Sequence, residues 1–187
     1  MVSLLKDLLR RSLKKHPIIT NATIYASFYT AAELSQQTFN KINSEEKTNY
    51  DFATATRLAC VGSTIYAPTL YVWYKYLDKK FQGTAMKMVI AKVAADQFIM
   101  SPVLLAAFYT AMAVLERKED MFEEMKDKYL KTFLFNQIFW IPGQTINFYL
   151  VPSHLRVVYV ASASFLWINI LCYIKRQKLK TTTPEEN

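Results

Sequence analysis

The residues with chemical potential in this chain are few, and they sit inside long apolar stretches. Lys92 and Asp96 are four apart and so share one face of a helix, where they can pair. Charges at bilayer depth are costly and face a bundle interior or a watery cavity. Two readings stay open: a charged constriction in a solute pathway, or a neutralised pair that locks helix packing. Gln97 lies beside them on a different face and is placed to bond across helices. Gln144 and Asn147, three apart, share a second polar face, and their amides are expected to serve backbone groups freed near Pro142. Arg156 follows Pro152 at the entry to a long apolar run. It is placed to cap a helix end, to pair with Glu33 or Asp96, or to snorkel to headgroups. Glu33 and Gln36 form a third stripe, read equally as pore lining or as interhelical glue.

These residues do not add up to catalysis. His16 and His154 have no Cys, Ser or carboxylate partner at motif spacing, and no phosphate-binding glycine loop, dinucleotide fingerprint or zinc signature is present. The chain reads as a non-enzyme with no cofactor and no metal. Cys60 and Cys172 show no redox or ligand spacing and read as small buried hydrophobes.

The elements that position such residues are helices of membrane length. Ile18 to Phe39 is 22 residues with Glu33 as its one charge, long enough to cross a hydrocarbon core of roughly 30 Å. Its polar content predicts burial among other helices. Leu58 to Leu77 is interrupted by Pro68 and ends on Trp73, Tyr74 and Tyr76, an interfacial edge. Met88 to Leu115 carries Pro102, a site for a kink. Val157 to Ile174 is 18 residues without charge. The expected organisation is a basic amphipathic segment at 1–16, a helical bundle domain at 17–176 and a polar tail at 177–187. Asp120 to Leu130 fits a surface-lying helix. Only three glycines in 187 residues argue against a loop-rich or β-rich chain. The fold class is all-α, an integral membrane bundle of about four transmembrane helices.

Charge placement sets the expected topology. The net charge of +8 is concentrated in the two tails and the joints. The N-terminal tail, the Lys75 to Lys87 joint and the Lys175 to Lys180 run are basic, while the Lys41 to Asp51 and Glu116 to Lys131 joints are net acidic. That alternation fits four crossings with both termini on the lysine-rich side. A fifth crossing would separate the two basic tails, so Thr132 to Leu150 is expected to be re-entrant or bent, with helix breaks at Pro68, Pro102 and Pro142. Lysines flanking spans also account for the basic balance without nucleic acid. The N-terminal helix resembles a mitochondrial targeting segment, and reads equally as an anchor for the first span.

The polar residues fall in an order that resembles the Mpv-seventeen and peroxisomal-membrane-protein-two family, most closely its Mpv-seventeen-like branch. The resemblance runs from His16 to Lys175. It rests on His16-Pro17 with Thr20-Asn21, then Glu33, Gln36-Gln37, Asp51 and Arg57. Pro68, the run Trp73 to Asp78, Asp96-Gln97 and Pro102 follow. The last block is Trp140, Gln144, Asn147-Phe148, Val151-Pro152, Arg156 and Trp167. Where the family has Gly-Asp this chain has Ala32-Glu33, and where the family has proline directly after the tryptophan Ile141 intervenes before Pro142. The resemblance implies an organelle membrane protein that forms or modulates a channel for small hydrophilic solutes, linked to mitochondrial homeostasis and reactive-oxygen metabolism. The rival is a non-conducting structural or adaptor protein of the mitochondrial inner membrane. The expected partners are the lipid bilayer, small solutes and a second copy of the chain. The expected location is the mitochondrial inner membrane, with the peroxisomal membrane as the alternative.

Overall fold

The computed structural model describes residues 2–43, 49–120 and 122–181, without the side chains of 2–6, 43, 123, 124, 127 and 170–181. Every regular element among them is helical. In chain order these are α1 (Val2–Lys15), α2 (Pro17–Asn43), α3 (Phe52–Val61), α4 (Ala67–Lys80), α5 (Met86–Ala95), α6 (Ser101–Leu115), α7 (Glu123–Leu150) and α8 (Arg156–Thr181). Most of the expected polar tail lies outside the described residues, as do the side chain of Cys172 and residue Met121. Cys60 is exposed, contrary to the buried reading. The surface helix expected at 120–130 is the first part of α7.

The prolines do not break the helices as expected. A proline lacks the N–H that closes a helical turn, and its ring clashes with the carbonyl four residues back. At Pro68 and Pro102 the chain answers with a wide π turn just upstream, Gly62–Tyr66 and Asp96–Met100. The N–H of Ala67 reaches the carbonyl of Gly62, and that of Ser101 reaches Asp96, five residues back in each case. The obstructing carbonyl moves aside and the helix axis continues. Gly62 also admits Tyr29, whose Cγ would lie 3.2 Å from a Cβ built there.

Pro142 corrects the expectation further. Residues Thr132 to Leu150 are not re-entrant: α7 runs through Pro142 for 28 residues, about 42 Å at 1.5 Å per residue. One lost hydrogen bond is offset by the buried face carrying Gln144, Asn147 and Phe148. The break falls at Val151, which is extended (ψ 126°) because it precedes Pro152. A short 3₁₀ turn, Ser153–Leu155, then leads into α8.

The helices bury a set of polar groups within a largely apolar core and leave many large apolar groups on the outside. α2 is central, lying against α8, α3 and α4 with Tyr25 and Ala32 fully buried. Its hydroxyls at Thr20, Thr23, Ser27 and Thr38 bond the carbonyl four residues back. Ser35 donates to Asn169 Oδ1 of α8 at 2.8 Å. These bonds serve the hydroxyls of a polar helix, while Asn21 Oδ1 and the Tyr25 hydroxyl stay buried without a partner among the described residues. Meanwhile Ile90, Phe98, Val103 and Ile138 are left more than half exposed. Among the described residues, one helix, Met86–Leu115, is both long and apolar enough to cross a membrane by length and composition.

One carboxylate ties the lysine-rich end together. Asp78, one residue past the apolar stretch ending at Leu77, receives Lys92 Nζ at 2.8 Å and the Arg156 guanidinium on the same oxygen, Oδ1. Lys92 also donates to the carbonyl of Gly83 at 3.3 Å. Arg156 reaches the carbonyls of Val151 and Phe148, capping α7, and stacks 5.2 Å over the Phe148 ring. The expected Lys92–Asp96 pair therefore does not form. Helical side chains lean toward the N-terminus, so the long Lys92 stem reaches back to Asp78 while Asp96 lies the other way. Arg156 caps a helix end as one reading had it, but its acid is Asp78, and neither Glu33 nor Asp96.

Burial works against the Asp78 charge, yet the hydrogen bonds from Arg156 and Lys92 outweigh it and hold the carboxyl below the usual carboxylate range. A depressed carboxyl contributes stability above its unfolded pKa, about 3.9, and that contribution is lost as pH falls through the folded value. The thermal midpoint in detergent should therefore be flat at neutral pH and drop below about pH 4. Asp78→Asn leaves two buried cations uncompensated. It should cost about 3 kcal/mol at neutral pH and flatten the acid limb. An Asp78→Asn protein melting like the parent would remove the knot from the account.

Candidate functional site

Six α-helices and the two π turns line a cavity of about 340 Å³, within the range of small-molecule sites. Five residues singled out from sequence line it: Glu33, Gln36, Asp96, Gln97 and Gln144. The other three, Lys92, Asn147 and Arg156, do not. The set thus divides into a cavity lining and a structural lock.

Asp96 opens the π turn before Pro102, and that turn sets where its carboxylate points. Its Oδ1 accepts from Trp73 Nε1 of α4 at 3.0 Å, and its Oδ2 accepts from Gln97 Nε2 at 3.0 Å. Gln97 was expected to bond across helices. It bonds its neighbour instead, since the wide turn brings the two side chains alongside each other. Gln97 Oε1 is then left without a partner, in a residue only 2 % exposed.

Gln144 and Asn147 do share a face, with Asn147 Nδ2 donating to Gln144 Oε1 at 2.8 Å. Gln144 Nε2 then donates to the hydroxyl of Tyr74 at 2.9 Å. The expected backbone role near Pro142 is corrected: the partner is a tyrosine on α4, itself edge-on to Phe148 at 5.4 Å. Pro142 is exposed and turned away from this face.

On α2, Glu33 Oε1 accepts from Gln37 Nε2 at 2.9 Å. Gln37 also holds the backbone of Asp51, accepting from its N–H at 2.8 Å and donating to its carbonyl at 3.0 Å. Asp51 in turn caps α3 through the N–H of Thr54. Hydrogen bonds from Thr54 hold the exposed Asp51 carboxyl below its ordinary range.

The sequence reading missed Asp78 as the organiser, although it is the lone acid in a joint with four lysines. It also missed Asn136, whose buried Oδ1 has no partner in the cavity wall. The aromatic share of the wall, Tyr29, Tyr66, Phe108, Trp140 and Trp167, was legible only as tryptophans of the resemblance.

Comparison with known proteins identifies the chain. Residues 113–172 match the model of the Mpv17 / PMP22 family. The chain is similar to the Mpv17-like protein of Xenopus laevis, 34 % identical over 91 % of this chain and 82 % of that one. It is similar to the Mpv17-like protein of Bos taurus, 30 % identical over 90 % and 83 %. It is also similar to Protein sym1 of Aspergillus oryzae, 31 % identical over 87 % and 92 %. No solved structure matches. The family and these names fit a mitochondrial or peroxisomal membrane protein. With 34 % identity to one relative over 91 % of this chain and 82 % of that one, the protein belongs to the Mpv17 / PMP22 family.

Proposed function

We propose that the chain crosses an organelle membrane five times, and that the cavity between its helices passes or gates small hydrophilic solutes. The carrying observation is the inverted distribution of polarity. Asp96, Gln97 and Gln144 are 2–3 % exposed around a cavity, while Phe98, Ile99 and Val103 on the same helical run are 57–66 % exposed. In water such a surface would be a liability; in lipid it is the expected outer face.

In this reading the crossings are α2, the run 52–77, the run 86–115, α7 and α8, and the expected four become five. Phe28 meets Phe165 and Ser35 meets Asn169, so α8 runs parallel to α2. Arg156 starts α8 at the Asp78 end, to which α7 must first return. The mitochondrial inner membrane is the preferred setting and the peroxisomal membrane the alternative. The link to reactive-oxygen metabolism rests on the family resemblance. No catalytic step is assigned.

A second reading has its own observation. The Asp78 knot and the chain from Asn147 through Gln144 to Tyr74 hold helices together without needing a solute. On that reading the protein is a non-conducting structural or adaptor component, and the cavity is a packing defect lined by satisfied amides. The unpartnered Gln97 Oε1 and Asn136 Oδ1 favour the solute pathway, because buried acceptors are seldom left idle.

Two experiments test this. Tags at the two termini should be accessible from opposite faces of isolated organelles; access from the same face contradicts the five crossings. Purified protein in planar bilayers should conduct, and Asp96→Asn should change the conductance while leaving the Asp78 knot intact. Silence over a range of voltages and redox conditions, with Asp96→Asn lowering stability alone, would favour the structural reading.

A further inference from the structure

The polar balance of the cavity is lopsided. Tyr66 donates to the carbonyl of Leu104 at 3.1 Å, Gln97 Nε2 to Asp96 and Gln144 Nε2 to Tyr74, and among the described residues no buried donor of the wall is left unpaired. Some of its acceptors are. Gln97 Oε1 and Asn136 Oδ1 are buried without a partner, and of the Glu33 carboxylate one oxygen is engaged by Gln37 and the other is open among the described residues. The orientation of the Gln97 amide is set by Asp96, since reversing it would face oxygen toward oxygen.

Charge is lopsided in the same sense. Glu33 and Asp96 line the cavity, and among the described residues no Lys or Arg does. Lys92 and Arg156, the buried cations among those residues, are held away from it by Asp78. Tyr29, Phe108, Trp140 and Trp167 supply aromatic wall, which attracts cations through the ring quadrupole. An anion entering this space would meet the Glu33 carboxylate and idle acceptors. A neutral solute would satisfy the acceptors but leave the charge without a partner.

The geometry points to a binding site for a small organic ammonium, held by Glu33 as counter-ion and by Gln97 Oε1 and Asn136 Oδ1 as acceptors for its N–H groups, against the aromatic wall. This rests on the reading of the cavity as a solute site, and adds to it the class of solute the site retains. Asp96 acts here as a positioning residue, since both its oxygens are already engaged and it fixes the Gln97 amide.

Three four-carbon probes separate the possibilities: putrescine, butanediol and succinate, which differ in charge at similar length. Binding is measured calorimetrically on the full chain in lipid nanodiscs, with empty nanodiscs of the same lipid as blank. Passage is measured as release from liposomes loaded with each probe. Putrescine should bind saturably and the other two should not. Glu33→Gln should weaken putrescine binding by about tenfold or more, as loss of a charge-assisted bond requires. Gln97→Met, which leaves the charge in place, should weaken it several-fold, and the fluorescence melt of each variant checks folding. All three tryptophans lie at the cavity or on Asp96, so that melt reports on the site itself.

Equal binding of butanediol, or putrescine binding unchanged in both variants, overturns the inference. Release of all three probes without putrescine binding also overturns it, and leaves the pathway standing. Putrescine binding with no release of any probe keeps the site and overturns the pathway. Neither binding nor release overturns both.

Discussion

In an apolar surround every charge must find its partner within the chain, and the bundle meets that demand at Asp78. A single carboxylate oxygen receives both Lys92 and Arg156, whose side chains are 2 % and 4 % exposed. The consequences spread through named contacts. Lys92 pins the Gly83 turn between α4 and α5, and Arg156 closes the end of α7 and starts α8. With both cations consumed at one end, the charged groups described in the cavity wall beyond them are carboxylates alone. The acidic, acceptor-rich character of the cavity follows from where the knot is tied.

The second constraint is the pair of prolines. Pro68 and Pro102 lie at matching positions in adjacent helical runs, each preceded by a five-residue π turn. The turn before Pro102 begins at Asp96, so the residue that faces Trp73 and Gln97 is presented by the same irregularity that absorbs the proline. The turn before Pro68 begins at Gly62, where α2 comes close enough for Tyr29 to touch. Local backbone cost and site geometry have one origin here, as is common where π turns occur in functional helices.

Much of this was legible in the sequence, and the limits were physical. Spacings of three within one helix, Glu33 with Gln36 and Gln144 with Asn147, were read correctly as shared faces because helical geometry decides them locally. The Lys92–Asp96 pair followed the same rule and failed. A lysine stem has reach and direction, and a better acid stood on another helix. Pro142 was read as a break because its local cost is certain, whereas the packing that offsets it is not local. Asp78 was in plain view as the lone acid of a lysine-rich joint, but its two partners lie 14 and 78 residues away. The cavity itself, built from residues on α2, α3, α4, α6, α7, α8 and the two π turns, has no signature along the chain beyond the family resemblance.

The central claim is that the polar interior meets water and the apolar exterior meets lipid. Single cysteines in a background lacking Cys60 and Cys172 test it most directly, in proteoliposomes treated with a charged methanethiosulfonate reagent. Ser164→Cys, in the cavity wall, should react, and Val103→Cys, on the apolar outer face, should not. An inert Ser164→Cys together with a reactive Val103→Cys would contradict the account, placing the water on the outside and leaving the interior dry.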